Sequence, residues 1–319
     1  MTRLVHLLLA AACLAGAVLP TAVRAEAPMV KTQAGWWRVL VGDFEVTALS
    51  DGTVKLPVLQ LLRGDPARLK AALERGYLGE MVETSVNGYL VNTGGKLVLI
   101  DTGAGPLFGP TLGSLVQNLR AAGYRPEQVD EVYVSHMHPD HVGGLMAGTA
   151  RAFPNATLRI DKRDVDYWLS AANMNAAPES ARGFFQGAMA SVGPYQQAGK
   201  LRPFEGATEL VPGVRALPAY GHTPGHTVYS VESKGERLVL WGDLMHVAAV
   251  QFEDPSVTIQ FDTDSTPAAQ QRAQAYADAA RGGYLVGAPH LSFPGLGRLR
   301  GNADGKGYTF VPVNYSGLK

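Results

Sequence analysis

Ser135-His136-Met137-His138-Pro139-Asp140-His141-Val142-Gly143-Gly144 places four potential metal ligands, His136, His138, Asp140 and His141, within six positions. Three of the eight histidines of the chain fall in this short run, and imidazole nitrogens beside a carboxylate suit a divalent cation. A histidine-rich surface loop is the bland alternative, and clustering at this density favours the metal. Directly before it, Glu131-Val132-Tyr133-Val134 reads as a buried strand, so the cluster sits on a strand-to-loop turn. Pro139 and the Gly143-Gly144 pair predict irregular backbone with no regular helix through that turn. An extended His-x-His segment points both rings to one side, and a tight turn would bring Asp140 and His141 round to a second point nearby. That geometry suits two adjacent metal ions.

The elements that must position these groups are mostly strands. Phe44 to Leu49 alternates like a half-buried strand and is expected to end at the turn Ser50-Asp51-Gly52. Tyr89-Leu90-Val91-Asn92 and Lys96 to Ile100 flank Gly94-Gly95, a hairpin signal. Helical spacing of Leu112, Leu115, Val116 and Leu119 predicts a helix over Thr111 to Ala122, closed by Gly123. Thr266-Pro267 opens another helix that ends near Gly282-Gly283. The run Gly235 to Asp243 echoes Gly95 to Asp101: a glycine turn, a buried strand and an aspartate at its end. Two β-sheets packed face to face, with helices on both outer faces, fit this pattern.

Later candidate ligands follow apolar strands. His222 and His226 come after Val214 to Ala219, Asp243 after Leu238 to Leu240, and His290 after Tyr284 to Ala288. Singly, His222 and His226 read equally well as turn residues, His290 as a core histidine and Asp243 as a helix cap. As a set they stand where a layered fold assembles its site.

Met1 to Ala25 reads as a cleavable export signal: Arg3, the apolar run Leu7 to Leu19, then the small-residue pattern Val23-Arg24-Ala25. The apolar run is too short to span a bilayer. Cys13, the only cysteine, would leave with it; its lipidation is the competing reading. The expectation is a periplasmic or secreted protein with a single domain over residues 26–319. Losing Arg3 and Arg24 takes the basic count from 28 to 26 against 28 acidic residues, a balance that does not call for nucleic acid. A chain with 46% hydrophobic residues can bury one large core.

His136-x-His138-x-Asp140-His141, with His222, Asp243 and His290 following in that order, resembles the metallo-β-lactamase superfamily. The resemblance implies an α+β fold, a four-layer αββα sandwich. It implies one metal on His136, His138 and His222, a second on Asp140, His141 and His290, and Asp243 bridging both. Asp101 and His226 would stand behind the ligands and orient them. Two divalent ions are implied; nitrogen and oxygen ligands suit zinc, with manganese, cobalt and iron compatible.

Departures narrow the branch. The superfamily's true β-lactamases generally lack an aspartate at the position of Asp243. Its oxygen reductases carry glutamate where His138 stands, and its nuclease members carry basic surfaces and extra domains. What remains is the lactonase and methyl parathion hydrolase-like branch, which the runs Glu83 to Val86, Leu107 to Gly113, Val247 to Phe252 and Phe310 to Ser316 resemble closely. By that resemblance Phe108, Trp168 and Phe184 form an aromatic rim; as aromatics in general they read as core. Leu61, His246, Ile259 and Phe261 stand where the organophosphate hydrolase has arginine, leucine, threonine and leucine, and they resemble the lactonase relatives instead. A pocket with Phe261 and His246 favours a flat aryl lactone such as dihydrocoumarin, with weak phosphotriester hydrolysis; His246 reads equally as a structural residue.

The expected chemistry is hydrolysis. Two ions ~3.5–4 Å apart would share a water, lower its pKa towards neutrality and polarise the substrate carbonyl, with Asp140 orienting the nucleophile or relaying its proton. A dedicated organophosphate hydrolase is the alternative within the branch. A Ser/His/Asp hydrolase is disfavoured because no Gly-x-Ser-x-Gly elbow precedes a helix. A non-catalytic, metal-stabilised binding protein is the rival outside enzymes. The partner is a small lactone or ester, and a homodimer is expected from the relatives alone.

Overall fold

Strands run through the chain in an order that builds two sheets without threading. The computed structural model describes residues 27, 29–316 and 318, so the export segment and Cys13 lie outside the described residues. The first sheet has six strands in chain order: β1 (Trp36–Val41), β2 (Phe44–Pro57), β3 (Met81–Asn92), β4 (Leu97–Ile100), β5 (Glu131–Tyr133) and β6 (Thr157–Arg159). The second has seven, again in chain order: β7 (Thr208–Val211), β8 (Val214–Pro218), β9 (Thr227–Ser233), β10 (Glu236–Leu240), β11 (Leu285–Gly287), β12 (Leu296–Gly301) and β13 (Tyr308–Pro312).

Alternation along each strand decides which layer it feeds. Val98 and Ile100 of β4 face Tyr229, Leu238 and Leu240 across the inter-sheet core. Leu97 and Leu99 turn outward onto Leu115, Leu119, Phe185 and Val192. Val239 and Val286 turn outward from the second sheet onto Tyr276 and Ala279. Those outer partners sit on helices: α1 (Leu115–Ala121), α2 (Glu179–Gln197) and α3 (Ser265–Gly282). Helix, sheet, sheet and helix thus form four layers, as the sequence suggests. Each fully buried Leu or Val contributes roughly 1.5–3 kcal/mol, so the three clusters outweigh any single polar contact in holding the layers together.

The echo between Gly95–Asp101 and Gly235–Asp243 has a topological counterpart. β4 pairs antiparallel with β3 and parallel with β5. β10 pairs antiparallel with β9 and parallel with β11. Parallel neighbours need crossovers, and α1 and α3 supply two of them. In both sheets the loops that leave the parallel strands carry the polar residues.

Three local expectations change. Strand β2 does not stop at Ser50-Asp51-Gly52; it continues to Pro57 through a bulge between Ser50 and Gly52. Asp51 there accepts the backbone N–H groups of Ala104, Gly113 and Leu115, and Gly52 adopts φ +128° with Thr111 O where a Cβ would stand. The same bonds hold residues 111–114 out of helix, so α1 begins at Leu115. The segment after His138 does form a helical turn, Pro139–Val142, because proline is well tolerated at the first helical position. Helix α3 agrees closely: Asp264 caps Thr266 N, and Gly283 ends it with φ +61°. Among the described residues no helix is long and apolar enough to cross a membrane.

Candidate metal centre

The expected ligands converge although they come from four separate segments. His136 and His138 leave β5 in extended backbone, and His138 caps the turn that carries Asp140 and His141. Gly143 and Gly144 follow because a Cβ at either would strike the carbonyls of Ala104 and Thr102, at 2.0 and 1.9 Å. His222 comes from the loop between β8 and β9, Asp243 from the end of β10 and His290 from the end of β11.

Two groups form, each with all donor atoms within 4.8 Å of one another: His136, His138, His222 and Asp243, and Asp140, His141, Asp243 and His290. Nε2 of His222 lies 3.2 Å from His136 Nε2 and 3.1 Å from His138 Nδ1. The carboxylate of Asp243 belongs to both groups. Its Oδ2 is 3.3 Å from His222 Nε2 and 3.2 Å from His290 Nε2, and its Oδ1 is 3.2 Å from His141 Nε2. Asp140 Oδ2 stands 3.5 Å from both His141 Nε2 and His290 Nε2.

The far side of each ring fixes which nitrogen faces the centre. Nδ1 of His141 is 2.9 Å from Asp101 Oδ2, Nδ1 of His222 is 2.8 Å from Asp262 Oδ1, and Nδ1 of His290 is 2.9 Å from Ser85 O. The Ser135 hydroxyl donates to Asp101 Oδ2 at 2.7 Å and so accepts from His136 Nδ1 at 3.1 Å. With Nδ1 engaged outward, Nε2 is the nitrogen that each of these four rings turns towards the centre, where it can coordinate once deprotonated. His226 stands behind the ligands: its Nδ1 donates to Ala219 O, and its Nε2 accepts the Asp243 backbone N–H. Asp101 and His226 thus contact the candidate ligands from behind, Asp101 in left-handed backbone at φ +58°.

Before a cation binds, nearby carboxylates raise His141, His222 and His290 despite their burial, while His136 and His138 stay neutral; a bound divalent ion would displace the protons so held. Burial, then the neighbouring His141 charge, holds His136 well below the usual histidine range; burial and His222 do the same to His138. Burial opposes it, yet His141 and His290 hold the carboxyls of Asp140 and Asp243 below their ordinary value. Burial also opposes the rise of His222, which hydrogen bonds to Asp243 and Asp262 push up to about 9. Buried His141 Nε2 and Asp243 Oδ1 lie 3.2 Å apart yet make no well-directed hydrogen bond to each other or to any other described residue. Converging ring nitrogens and buried polar atoms without well-directed partners are costly unless a cation takes them, so these residues fit a pair of divalent ions.

A cavity of about 150 Å³ opens onto both groups. Val54, Leu56, Phe108, Phe184 and Phe261 wall it, and His138, Asp140, Asp243, His246 and His290 form its polar end. Of the residues assigned to the pocket by resemblance, Phe108, Phe184, His246 and Phe261 line this cavity. Trp168, Leu61 and Ile259 do not line the cavity. Trp168 packs edge-on against His138 at 5.2 Å, one layer behind. Leu61 and Ile259 belong to a cluster with Val58 and Val247, because the backbone ladder pairing Ile259 with Leu62 commits that segment to local packing.

Three buried carboxylates escaped sequence reasoning. Asp262 orients His222; Asp51 anchors the loop that carries Phe108. Asp164 accepts from Met137 N at 2.9 Å, Thr223 Oγ1 at 2.9 Å and Gly225 N at 2.6 Å, tying the His136–His138 loop to the His222–His226 loop. None has a motif around it, and only distance in the fold reveals its role.

Residues 81–282 match the profile of the metallo-beta-lactamase superfamily. The chain belongs to that superfamily. Among characterised relatives, an N-acyl homoserine lactonase of a Bacillus species is 28% identical over 181 residues, 51% of this chain and 64% of the relative. An N-acyl homoserine lactonase of Bacillus cereus is 26% identical over 205 residues, 58% of this chain and 74% of the relative. The crystal structure of hydrolase AbOPH in the beta lactamase superfamily superposes with a TM-score of 0.85 at 35% identity, over 90% of this chain and 100% of that one. AidC, a dizinc quorum-quenching lactonase in complex with an N-acyl-L-homoserine product, superposes with a TM-score of 0.81 at 29% identity, over 89% of this chain and 99% of that one. The α+β sandwich and the hydrolase class expected from the sequence both agree with these neighbours.

Proposed function

We propose that this chain is a dinuclear-metal hydrolase that opens lactones and aryl esters, with a dihydrocoumarin-like aryl lactone as its favoured substrate and weak phosphotriester hydrolysis as a side reaction. The observation that carries it is Asp243, shared by two ligand groups at the polar end of a cavity with three phenylalanines in its wall. The lactonase relatives support the lactone, and the three aromatic faces support a flat substrate.

His136, His138, His222 and Asp243 would hold one ion, and Asp140, His141, His290 and Asp243 the other. When bound, the pair of cations, zinc by preference, supplies Lewis acidity and acidifies water. The residues of the chain do the rest. Phe108, Phe184 and Phe261 exclude bulk water and stack on the aryl ring. Asp140, at 16% side-chain exposure against 3% for Asp243, is the carboxylate that meets solvent; it orients the attacking water and takes its proton.

Metal content measured beside hydrolysis of dihydrocoumarin, N-hexanoyl homoserine lactone, paraoxon and nitrocefin tests this reading. Zinc-dependent turnover of lactones, fastest for dihydrocoumarin, is expected. Fastest turnover of paraoxon would indicate a dedicated organophosphate hydrolase, and fastest turnover of nitrocefin would refute the substrate class. Export is proposed from Met1 to Ala25 and a homodimer from the sequence resemblance; the mass of the mature chain and its sedimentation test them.

A further inference from the structure

We propose that Asp262 is a positioning residue that fixes one half of the metal centre to the turn forming the substrate wall. Its carboxylate is fully buried and serves two masters. Oδ1 holds His222 Nδ1 at 2.8 Å, while Oδ2 accepts the backbone N–H of Ile259 at 3.1 Å. The backbone repeats the connection: Asp262 N donates to Ile259 O at 3.1 Å, Thr263 N to His222 O at 2.8 Å, and Asp264 N to Gly221 O at 2.9 Å. Between Ile259 and Asp262, Phe261 projects into the cavity wall, with ring centroids 6.1 Å from His246 and 6.2 Å from Phe184.

A carboxylate behind a ligand imidazole sets the tautomer, aims the ring and strengthens it as a donor. Asp262 does this for His222 alone. His141 relies on Asp101, and His290 on the carbonyl of Ser85. Loss of Asp262 therefore loosens the ion of the His136, His138 and His222 group while leaving the other group its own supports. Because the same carboxylate closes the Ile259–Asp262 turn, the position of Phe261 and the aim of His222 are set together. This substrate arm rests on the hydrolase reading; the metal arm does not.

The test uses zinc-loaded protein with Asp262→Ala and Asp262→Asn, read by chelator competition and by the absorption spectrum after cobalt(II) replacement. In Asp262→Ala one of two ions should be lost ~10–100-fold more readily, with the second retained as in the parent. Asp262→Asn keeps an acceptor oxygen without the charge and should fall between. In excess zinc the alanine variant should regain kcat while KM for dihydrocoumarin stays raised severalfold. Unchanged retention of both ions, or equal weakening of both, in a variant folded by circular dichroism overturns the proposal. Should the alanine variant fail to fold, the asparagine variant decides by the same criterion. If the parent opens no lactone but one ion is still selectively loosened, the hydrolase reading fails and the role of Asp262 stands.

Discussion

Asp243 donates its backbone N–H to Nε2 of His226 across 2.9 Å, so this histidine holds the shared carboxylate from behind. Gly242, at φ +52°, makes that approach feasible, since a Cβ there would lie 2.7 Å from the same Nε2. Replacing His226 by alanine leaves the Asp243 N–H buried without an acceptor. We expect ~10–100-fold weaker zinc binding, shared by both ions because both use Asp243. Titration against a chromogenic chelator checks it, and selective loss of one ion would contradict it.

The same ring predicts a pH dependence. Burial, then the charge of His222, pushes His226 down from 6.5 to about 3. A depressed histidine stays neutral in the fold while the unfolded chain takes up a proton. The stability tied to His226 is therefore whole above about pH 6.5 and drains as the pH falls towards 3, by an amount on the order of 5 kcal/mol. Urea unfolding of zinc-free protein between pH 7 and 4 should show this loss, and His226→Gln should flatten it.

Asp164 carries the opposite sign. Burial raises its carboxyl to about 6 against three lowering hydrogen bonds. Its acid form is favoured in the fold, so this contribution is full below pH 3.8 and is lost as the pH rises through about 6. An asparagine at this position has one oxygen for three donors. Asp164→Asn should cost about 2 kcal/mol at neutral pH, on the scale of an unsatisfied buried donor, and lower zinc occupancy by letting two ligand loops separate. Denaturant midpoints and metal analysis of the same sample check both halves.

How much of this was legible follows from where each signal resides. The strands β4, β5, β10 and β11 announce themselves as short apolar runs, and His136, His141, Asp243 and His290 stand just beyond three of them, which marks them as candidates that the family resemblance then sorts into ligand sets. Asp51, Asp164 and Asp262 act on groups 53, 27 and 40 residues away, and nothing beside them in sequence marks that reach. Leu61 and Ile259 were assigned to the pocket by the family resemblance alone; here the pairing of Ile259 with Leu62 turns them to a local core. The helical turn at Pro139–Val142 was missed because proline was taken as a breaker at the one position where it starts helices well.

Asp51 gives a prediction about substrate access. Its two oxygens accept Ala104 N, Gly113 N and Leu115 N at 2.9, 2.9 and 3.0 Å, clamping both ends of the loop whose tip is Phe108. Phe108 itself is 40% exposed, so its place at the cavity depends on that clamp. Asp51→Ala should raise KM for an aryl lactone severalfold with a smaller change in kcat, and Phe108→Ala should copy the KM effect without the loss of thermal stability. A fall in kcat alone would place the loop in the chemistry rather than at the rim.

Removal of metal separates an enzyme from a metal-stabilised binding protein. Without cations, His222 Nε2 crowds His136 Nε2 and His138 Nδ1 at 3.2 and 3.1 Å, and Asp243 Oδ1 stays buried without a well-directed hydrogen bond. Zinc should therefore stabilise the fold markedly: at a hundredfold excess over Kd the gain is about 2.7 kcal/mol, visible as a zinc-dependent Tm. Lactone turnover should disappear with the chelated metal and return on readdition of zinc, cobalt or manganese, because the ligands are nitrogen and oxygen alone. Stabilisation by zinc without metal-dependent turnover of any lactone, ester or phosphotriester would favour the binding protein over the hydrolase.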